Sequence, residues 1–450
     1  MKKYAFSFSG VVFAVFIILG GISSAAESAE MDLLSLRDCL EIALRNNPDI
    51  GISYQGVKKA ESALLQSYGR LLPDFSLDLY TGHRFYGPST VQYDEQGRPI
   101  QSSGFDFENY TMRLNANMML WNGGSNYSNI GSARELRKAA EADYQYTRDL
   151  IKAGVIRAYY NVVRSRMLYT VQKQSRGQAV RNLERAEALL DAGSATRADV
   201  LKARVRFSNT RLGVIEARNN LAMARENLKK IMKLGHRENF RVDTTMVIEH
   251  RDAEYGREID YAMNNREDLK VLKYRLSAQK SSVAAARGGW FPSLGVNFNY
   301  SWNDRELVDN PLDMFREEYQ WSVTGYLSFN IFDGLQTSSR VKSARADFRI
   351  AEYNLEKNKL DVENEVKQLI FSMNEARERI EVASETVIQA TEEVRLADER
   401  YRVGAGTMLE VIDAQMSLAT ARGELIKAKC DYLIASADLE RATGRMENEH

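Results

Sequence analysis

The sequence contains little proline and no excess of either charge. Six of its 450 residues are proline, and because proline interrupts helices, this scarcity permits long unbroken ones. The 61 basic and 61 acidic side chains cancel, which removes the electrostatic reason to expect nucleic acid or an anionic membrane surface as a partner. Beyond the N-terminus, no stretch approaches the roughly 20 apolar residues that a membrane-spanning helix needs. If this chain crosses a membrane, we expect it to do so as a closed β-barrel.

Histidine and cysteine, which commonly carry catalysis or bind metal ions, are also scarce, with four and two residues. None of the four histidines stands in a His-x-x-x-His or Cys/His metal-binding spacing; they are His83, His236, His250 and His450. The chain lacks a Gly-Lys-Ser/Thr phosphate loop and a Gly-x-Ser-x-Gly nucleophile turn. The pair Met118 and Met119 would suit a soft metal ion, but Met118 belongs to the apolar face of a predicted strand, which favours contact with lipid. We therefore expect no enzymatic activity, no metal and no cofactor.

The N-terminus is typical of a secretory signal peptide. Two lysines precede an apolar run from Val11 to Ile22, and Ser24 and Ala26 stand at the small-residue positions of a cleavage site. We expect residues 1–26 to be removed on export. Because no cysteine follows Ala26 directly, we expect no lipid anchor. The two cysteines further on, Cys39 and Cys430, could pair in an oxidising compartment, but their spacing leaves both outcomes open.

The chain repeats itself. Two pairs of segments match at the same offset. Leu190–Ala203 matches Tyr401–Ala414, and Leu120–Gly123 matches Ile331–Gly334. The offset is 211 residues in both pairs, since 404 − 193 and 334 − 123 are equal. A third match, Pro73 with Pro292, is shifted to 219 residues by a longer insert in the first copy. Three matches in the same order indicate a duplication.

Each repeat is predicted to begin with a β-hairpin, at about 73–121 and 291–332. Apolar and polar residues alternate along these strands, as in Leu294, Val296, Phe298, Tyr300 and Trp302 of the third strand and Tyr319 to Ile331 of the fourth. A β-sandwich would show the same alternation. In a membrane, however, four strands cannot close a barrel, because membrane barrels begin at about eight strands. Several copies of the chain would then have to share one barrel.

A long helical hairpin is predicted to follow each β-hairpin. Apolar residues recur in steps of three and four from Val341 to Tyr401, which is the heptad pattern of a coiled coil. The predicted long helices are 125–192 and 335–403, and each ends at a glycine, Gly193 or Gly404. The returning helices are 196–234 and 407–443, and shorter helices, 36–71 and 258–289, precede the strands. A coiled-coil scaffold or adhesin without a pore has the same helical pattern.

These elements together resemble the TolC family of outer-membrane efflux proteins. The resemblance extends from Leu36 to Gly444. It is carried by the duplicated element Gly-x-x-Thr-x-x-Asp/Glu-Val-x-x-Ala at Gly193 and Gly404, by the proline-led strands, and by the Trp-Asn-Gly and Phe-Asp-Gly strand exits. It implies an α+β membrane protein in which three protomers, with four strands each, share a 12-stranded β-barrel that is continued by a long α-helical coiled-coil barrel in the periplasm.

The resemblance also implies a function and partners. The chain would be the passive exit duct of a tripartite efflux pump or type I secretion system, assembled as a homotrimer in outer-membrane lipid. Its partners would be a periplasmic adaptor (membrane fusion protein) and an inner-membrane pump or ABC transporter. The expected divisions are a signal peptide (1–26), a first repeat (27–234), an equatorial linker (235–255), a second repeat (256–444) and a C-terminal tail (445–450).

Three acidic residues follow the glycine turns. Glu410 and Asp413 lie three residues apart, on one face of a helix, and match the acidic rings at the tunnel entrance of the TolC family. Asp199 takes the corresponding place in the first repeat, where Lys202 replaces the second acid. Carboxylate rings attract cations; the alternative for Glu410 is stabilisation of the helix dipole, and for Asp413 a solvated position.

The turns themselves are the predicted adaptor contacts. Gly193, Thr196, Gly404 and Thr407 mark the two helical tips, which by resemblance meet the adaptor; the alternative is that they only form the turns. The family often has a basic gate-locking residue shortly after the second glycine, where this chain has Gly406 and Met408. Arg197, from the first repeat, is the candidate substitute.

Overall fold

The chain alternates short strands with helices of very unequal length. The computed structural model describes residues 32–87, 92–100, 105–235, 240–249, 251–306 and 312–446. The predicted signal peptide and three of the four histidines lie outside these ranges. None of the described helices is long and apolar enough to cross a membrane.

The elements of the first half, in order, are β1 (Asp32–Leu34), α1 (Leu36–Asn46), α2 (Pro48–Gly69), β2 (Asp74–Tyr86), β3 (Gln92–Tyr93), β4 (Pro99–Ile100), β5 (Phe105–Asn122), α3 (Ser125–Asp191) and α4 (Arg197–Met232). Those of the second half are β6 (Phe240–Val242), α5 (Tyr255–Asn265), α6 (Glu267–Arg287), β7 (Ser293–Asp304), β8 (Tyr319–Ser328), α7 (Gln336–Arg402) and α8 (Met408–Thr443), with short 3-10 turns at Gly288–Trp290 and Asp313–Phe315.

Two helical hairpins of equal dimensions dominate the structure. Helices α3 and α7 each have 67 residues and α4 and α8 each have 36, so the longer pair is about 100 Å long at 1.5 Å per residue. Both long helices end at a left-handed glycine, Gly193 (φ 73°) or Gly404 (φ 78°). The amides of Ser194 and Ala405 then donate 2.8 Å hydrogen bonds back into the last helical turn, which satisfies its carbonyls and ends the helix.

The long helices lie side by side. Towards the glycine turns, α3 packs against α4 on one side and α8 on the other, and α8 packs against α7, which gives the order α4–α3–α8–α7. Near the sheet, α2 and α6 take the places of α4 and α8, and the order is α2–α3–α6–α7. Along α7, the buried residues include four alanines at heptad spacing, Ala376, Ala383, Ala390 and Ala397, which allow the neighbouring helix to approach closely.

Two helices predicted to be continuous are each broken in two. The expected helix 36–71 stops at Asn46 because Asn47 caps a new helix, its side chain accepting a 2.9 Å hydrogen bond from the Asp49 amide, and because Pro48 cannot continue the old one. The expected helix 258–289 is interrupted at Arg266, whose backbone is extended. The buried Arg266 guanidinium pairs with Asp268 and Glu365.

Strands β2, β5, β7 and β8 form one antiparallel sheet in that order. Its register collects apolar side chains on one face, in rows such as Phe75–Ala116–Phe298–Val323 and Leu77–Leu114–Tyr300–Trp321. The opposite face carries polar rows, such as Ser76–Asn115–Asn299–Ser322 and Asp74–Asn117–Asn297–Thr324. The sheet therefore has one apolar and one polar surface across its full width.

Hydrogen bonds between strands organise the polar face. Asn299 Nδ2 donates to Asn115 Oδ1 at 2.7 Å, and Asn115 Nδ2 donates to Asp78 Oδ2 at 3.2 Å. Nearer the strand ends, Thr111 Oγ1 donates to Asn303 Oδ1 at 3.0 Å. Most side chains of the apolar face have no polar group to pair, and Met118 lies on that face opposite Val296.

The last strand is shorter than predicted. β8 ends at Ser328, so Phe329 and Ile331, which the alternation placed on the strand, lie beyond it. Its partner β7 begins at Ser293, which pairs with Ser328. The alternation continues past this point in the sequence, but no β7 residue is left to accept and donate hydrogen bonds, and the strand stops.

Two further pairs of short strands lie outside the four-stranded sheet. β1 and β6 form a parallel pair, so the expected linker 235–255 contains a strand; Tyr159 of α3 donates a 2.8 Å hydrogen bond to the Asp243 carbonyl beside it. β3 and β4 form a small hairpin within the longer insert of the first half. With two or three residues each, these strands are too short for the alternation that identifies longer strands.

The end of the described chain is packed. Arg445, assigned above to a C-terminal tail, pairs with Glu258 at 2.8 Å and stacks on Tyr261, and Met446 is buried in the core. Cys39 and Cys430 lie in the same apolar cluster and are unpaired. Burial raises the pKa of Cys39 to about 12 and that of Cys430 to about 11, so both thiols stay protonated at neutral pH.

Candidate functional site at the helical tips

The glycine turns of the two hairpins stand exposed at the ends of the long helices. A Cβ atom added to Gly193 or Gly404 would meet no atom within 4 Å, so only the left-handed backbone requires glycine there. Thr196 and Thr407 cap the returning helices α4 and α8. All four predicted tip residues are therefore solvent-accessible, and each has a local role in forming its turn.

Asp199 completes a capping box at the start of α4. The Thr196 amide and hydroxyl donate to Asp199 Oδ2 at 3.2 and 2.7 Å, and the Asp199 amide donates to Thr196 Oγ1 at 3.2 Å. These hydrogen bonds to the ionised form lower the pKa of the Asp199 carboxyl. The carboxylate is thus held at the helix terminus, where it satisfies backbone groups.

Glu410 and Asp413 lie together on α8. Both line a groove between α7 and α8 with Leu396, Arg400 and Ala414. Arg400 Nη2 approaches Glu410 Oε2 at 3.6 Å, which is a partly exposed ion pair of modest strength. Asp199 does not line this groove, so the structure brings together two of the three predicted acidic residues and places the third on a different helix.

The cap of α8 differs from that of α4. The Glu410 amide donates to Thr407 Oγ1, and this hydroxyl lies 3.3 Å from Glu410 Oε1. Asp413 is exposed and lies within electrostatic reach of Arg206 on α4: burial lowers the pKa of the Arg206 guanidinium, and the Asp413 charge opposes that shift. Asp413 therefore acts on the neighbouring hairpin as well as on its own.

The residues considered for a gate lock have very different surroundings. Arg197 is exposed at the first position of α4 and has no ion pair with the described residues. Met408, where the resemblance led us to expect a basic residue, is 2% exposed. A cation at this position would be buried among apolar side chains without a partner, at a cost of several kcal/mol.

An apolar cluster joins the two hairpins near their tips. It contains residues of α3 (Ala186), α4 (Val200 and Ala203) and α8 (Met408 and Ile412). Leu183, Leu190 and Tyr401 pack against it. This cluster was not predicted because its members lie on separate helices; the signal that could have found it is an apolar residue next to an acid, Val200 after Asp199 and Ile412 before Asp413.

Polar contacts between the hairpins surround this cluster. Arg185 of α3 lies 4.5 Å from the ring centre of Tyr401 on α7 and 3.4 Å from Asp398, and Asn182 Nδ2 donates to Gln415 Oε1 of α8 at 2.8 Å. Burial raises the pKa of Tyr401, Arg185 lowers it, and Asp199 raises it. Two hairpins linked in this way can hold one arrangement of the tips and release it when the links break.

No site for a metal is apparent at the tips or elsewhere in the described ranges, where no group of three or more His, Cys, Asp or Glu side chains is placed to bind one.

Solved structures with the same fold are outer-membrane channels. The Campylobacter jejuni CmeC outer membrane channel superposes with a TM-score of 0.80 over 99% of this chain and 95% of its own, at 17% identity. The open state of the Neisseria gonorrhoeae MtrE outer membrane channel superposes with a TM-score of 0.76 over 91% of this chain and 88% of its own, also at 17% identity. These likenesses show a shared fold.

Sequence relatives extend over most of the chain. Outer membrane protein TolC of Vibrio cholerae is 22% identical over 72% of this chain and 74% of its own length. The outer membrane efflux protein BepC of Brucella suis is 21% identical over 99% and 92%. The alkaline protease secretion protein AprF of Pseudomonas aeruginosa is 21% identical over 92% and 85%.

The profile of one protein family matches both halves of the chain separately. It is described as "Outer membrane efflux protein" and matches residues 39–232 and 259–445, which include both helical hairpins, both glycine turns and the four-stranded sheet. The resemblance predicted from the sequence is thereby confirmed, and the chain belongs to the outer membrane efflux protein family.

Proposed function

We propose that three copies of this chain form an outer-membrane duct that passively conducts cargo, received from a periplasmic adaptor and an inner-membrane pump, to the cell exterior. The two-faced sheet with unpaired edges carries this proposal. Family membership supports it, and relatives named for efflux and for protease secretion leave drugs and proteins both open as cargo. The sequence offers no nucleotide-binding loop, so the proposal assigns the energy source to the partner.

The sheet is complete only when copies join. β2 and β8 are its edges, and each leaves a row of backbone groups that pairs with no strand among the described residues. In lipid every such group costs several kcal/mol unless it is paired. Pairing β8 of one copy with β2 of the next satisfies both edges, and three copies of four strands give twelve. The apolar face then contacts lipid and the asparagine-rich face lines a wet lumen.

The helices close in the same way. The outer members of the helical order are α4 and α2 on one side and α7 on the other. A ring of three copies therefore places α7 beside α4 and α2 of its neighbour, with twelve helices in each cross-section. Elements of the first half form one edge of the sheet and of the helical layer, and elements of the second half form the other edge of both. The same rotation between copies therefore closes the sheet and the helical layer together.

The equal hairpins support a duplicated architecture. The 67- and 36-residue helices of one half recur at the same lengths in the other, and each pair encloses a left-handed glycine turn. On this basis we propose the first repeat as 27–234 and the second as 256–444. The equatorial segment 235–255 lies between them and carries β6 to its pairing with β1.

The equatorial elements indicate which face of the layer is outside. Asp252 pairs with Arg377 at 3.1 Å on one face of α7, whereas Glu375, Val382 and Thr386 line a groove on the opposite face together with Asp413. Three copies of the equatorial elements inside the ring would obstruct it, so their face is the outer one. Asp413 and Glu410 then face the lumen, six carboxylates around the entrance of a trimer, and opening requires the tips to untwist.

The lumenal carboxylates are expected to make the duct prefer cations. Changing Glu410→Gln together with Asp413→Asn should reduce the cation-to-anion permeability ratio by roughly tenfold, because rings of charge concentrate counter-ions at a narrow mouth. Reversal potentials of single channels in a planar bilayer under a salt gradient measure this. Asp199→Asn is the matched comparison: its carboxylate is committed to the cap of α4, so it should change the ratio much less.

The glycine turns are expected to serve export more than folding. Gly193→Val and Gly404→Val each force a side chain into the left-handed region at about 1–2 kcal/mol, without a clash. We expect normal amounts of trimer in the outer membrane but strongly reduced export of cargo, because the tips meet the adaptor. Export assays alongside quantification of trimers separate these effects; loss of the trimer itself would show that the glycines are only structural.

The proposal as a whole is tested by the native mass of the protein extracted from outer membranes in mild detergent. Three chains per particle and ion conductance in a planar bilayer are expected. A monomer that is released from membranes without detergent would instead fit a periplasmic or surface coiled-coil scaffold, and the duct would have to be abandoned.

A further inference from the structure

A strongly basic groove follows α3 towards the tips. It is an open groove with a volume of about 970 Å³, lined by residues of α3, α4, α8 and β6. Six of its lining residues are cationic and none is acidic; the six are Arg166, Lys173, Arg181, Arg225, Arg241 and Arg422. In a chain whose overall charge is zero, this is a pronounced local excess of one sign.

These cations form no ion pairs with the residues that the structure describes. Arg166 donates to the Val242 carbonyl at 3.3 Å and Arg422 to the Gln174 side chain at 3.5 Å, both of which are uncharged. Across the described ranges, no ion pair joins any of the six to a carboxylate. Burial lowers the pKa of the Arg225 guanidinium, and Arg166 and Arg241 lower it further. The Asp243 carboxylate, which is not in the lining, is within electrostatic reach of Arg166. The groove still carries like-charge repulsion among its cations, which a bound anion would relieve.

The groove lies on the same face of α3 as the β1–β6 pair. Tyr159, which bonds the segment after β6, is followed by Arg166 and Lys173 at intervals of seven residues, which keeps all three on one side of the helix. The opposite side of α3 carries Leu168 and Ser175, which line a different cleft. The basic groove is therefore on the outer surface of the proposed duct, and this assignment rests on that proposed function.

The groove lies too far from the sheet, and so from the membrane, to bind lipid headgroups. Arg166 lies 41 residues from the start of α3 (166 − 125), which is about 60 Å below the sheet at 1.5 Å per residue. This is several times the roughly 8–10 Å over which salt screens charges. An occupant must therefore be soluble in the periplasm.

We propose that this groove binds an acidic helical segment of a periplasmic partner protein. Along α3, the 15 residues from Arg166 to Arg181 span about 22 Å, the length of four helical turns. Gly177 lies in its lining, and a Cβ there would meet only the Arg181 side chain, at 3.7 Å, so a further helix has room to approach. Cations at heptad-like spacing beside such a seam match carboxylates on a facing helix, and guanidinium groups bind carboxylates with two parallel hydrogen bonds.

Binding of a defined acidic helix to the purified trimer in mild detergent tests the proposal. The probe is a fluorescent 21-residue helical peptide with glutamates at heptad spacing along one face, and its Kd is measured by anisotropy. Arg166→Gln, Arg225→Gln and Arg241→Gln together should weaken binding by about tenfold or more, and added salt should weaken binding to the unaltered protein. The matched control neutralises three exposed arginines outside the groove, Arg176, Arg275 and Arg345, and should change the Kd less than twofold.

Several results would overturn the proposal. Equal binding by the groove variant and the control variant would show that the groove is not the site. No binding by the unaltered trimer would do the same for an acidic helix, and arginine-dependent binding of peptidoglycan fragments instead would assign the groove to an anionic glycan. The single change Arg241→Gln, at the exposed middle residue of β6, repeats the test if the triple variant does not form trimers. Trimer mass is recorded for every variant, so failure of the duct proposal is visible separately from failure of this one.

Discussion

Val323→Arg is expected to prevent accumulation of the trimer in the outer membrane. Val323 lies near the middle of β8, is 61% exposed, and belongs to an apolar row with Phe75, Ala116 and Phe298. In the proposed barrel this face contacts lipid, where a central cation costs about 2–4 kcal/mol per chain. Because the trimer contains the change three times, the total is comparable to the stability of a whole domain. Quantitative detection of the native trimer in outer-membrane extracts measures the loss.

The adjacent residue provides the control. Thr324 is in the same strand but belongs to the polar row with Asn297, Asn117 and Asp74, so Thr324→Arg places its charge in the wet lumen. It should assemble nearly as well as the unaltered protein. Equal trimer levels for Val323→Arg and Thr324→Arg would contradict the assignment of the apolar face to lipid.

Removing the links between the hairpins is expected to open the duct. Arg185→Ala with Tyr401→Ala eliminates a cation–π contact, the Arg185–Asp398 ion pair and the packing of the Tyr401 ring on the apolar tip cluster. The two polar contacts contribute about 0.5–1 kcal/mol each, and the loss of the ring adds more. Summed over three chains, this is enough to shift a closed population towards open. Single-channel conductance should rise several-fold.

Arg400→Ala is the comparison for this effect. Arg400 pairs with Glu410, but both residues belong to the α7–α8 hairpin, so losing the pair frees neither hairpin from the other. Its conductance should stay close to that of the unaltered protein. If the double variant conducts no better than Arg400→Ala, the contacts of Arg185 and Tyr401 do not hold the tips closed.

The long elements were predictable from the sequence because their information is local. A heptad of small residues such as Ala383 and Ala390 specifies a helix with a buried seam wherever it occurs, and a glycine followed by a threonine three residues later marks the end of one helix and the cap of the next. Alternation along β7 assigned each side chain to a face, since a one-residue slip would reverse every one of them.

Other features depended on residues that meet in space. The helix breaks at Asn47 and Arg266 are stabilised by a cap at Asn47 and by the buried ion pair of Arg266 with Glu365. Strand β8 ends at the residue that pairs with the first residue of β7. The pairing of β1 with β6, the apolar tip cluster and the basic groove are each assembled from elements far apart in the chain. No periodicity in one segment encodes such contacts, because they depend on which faces of separate helices and strands come together.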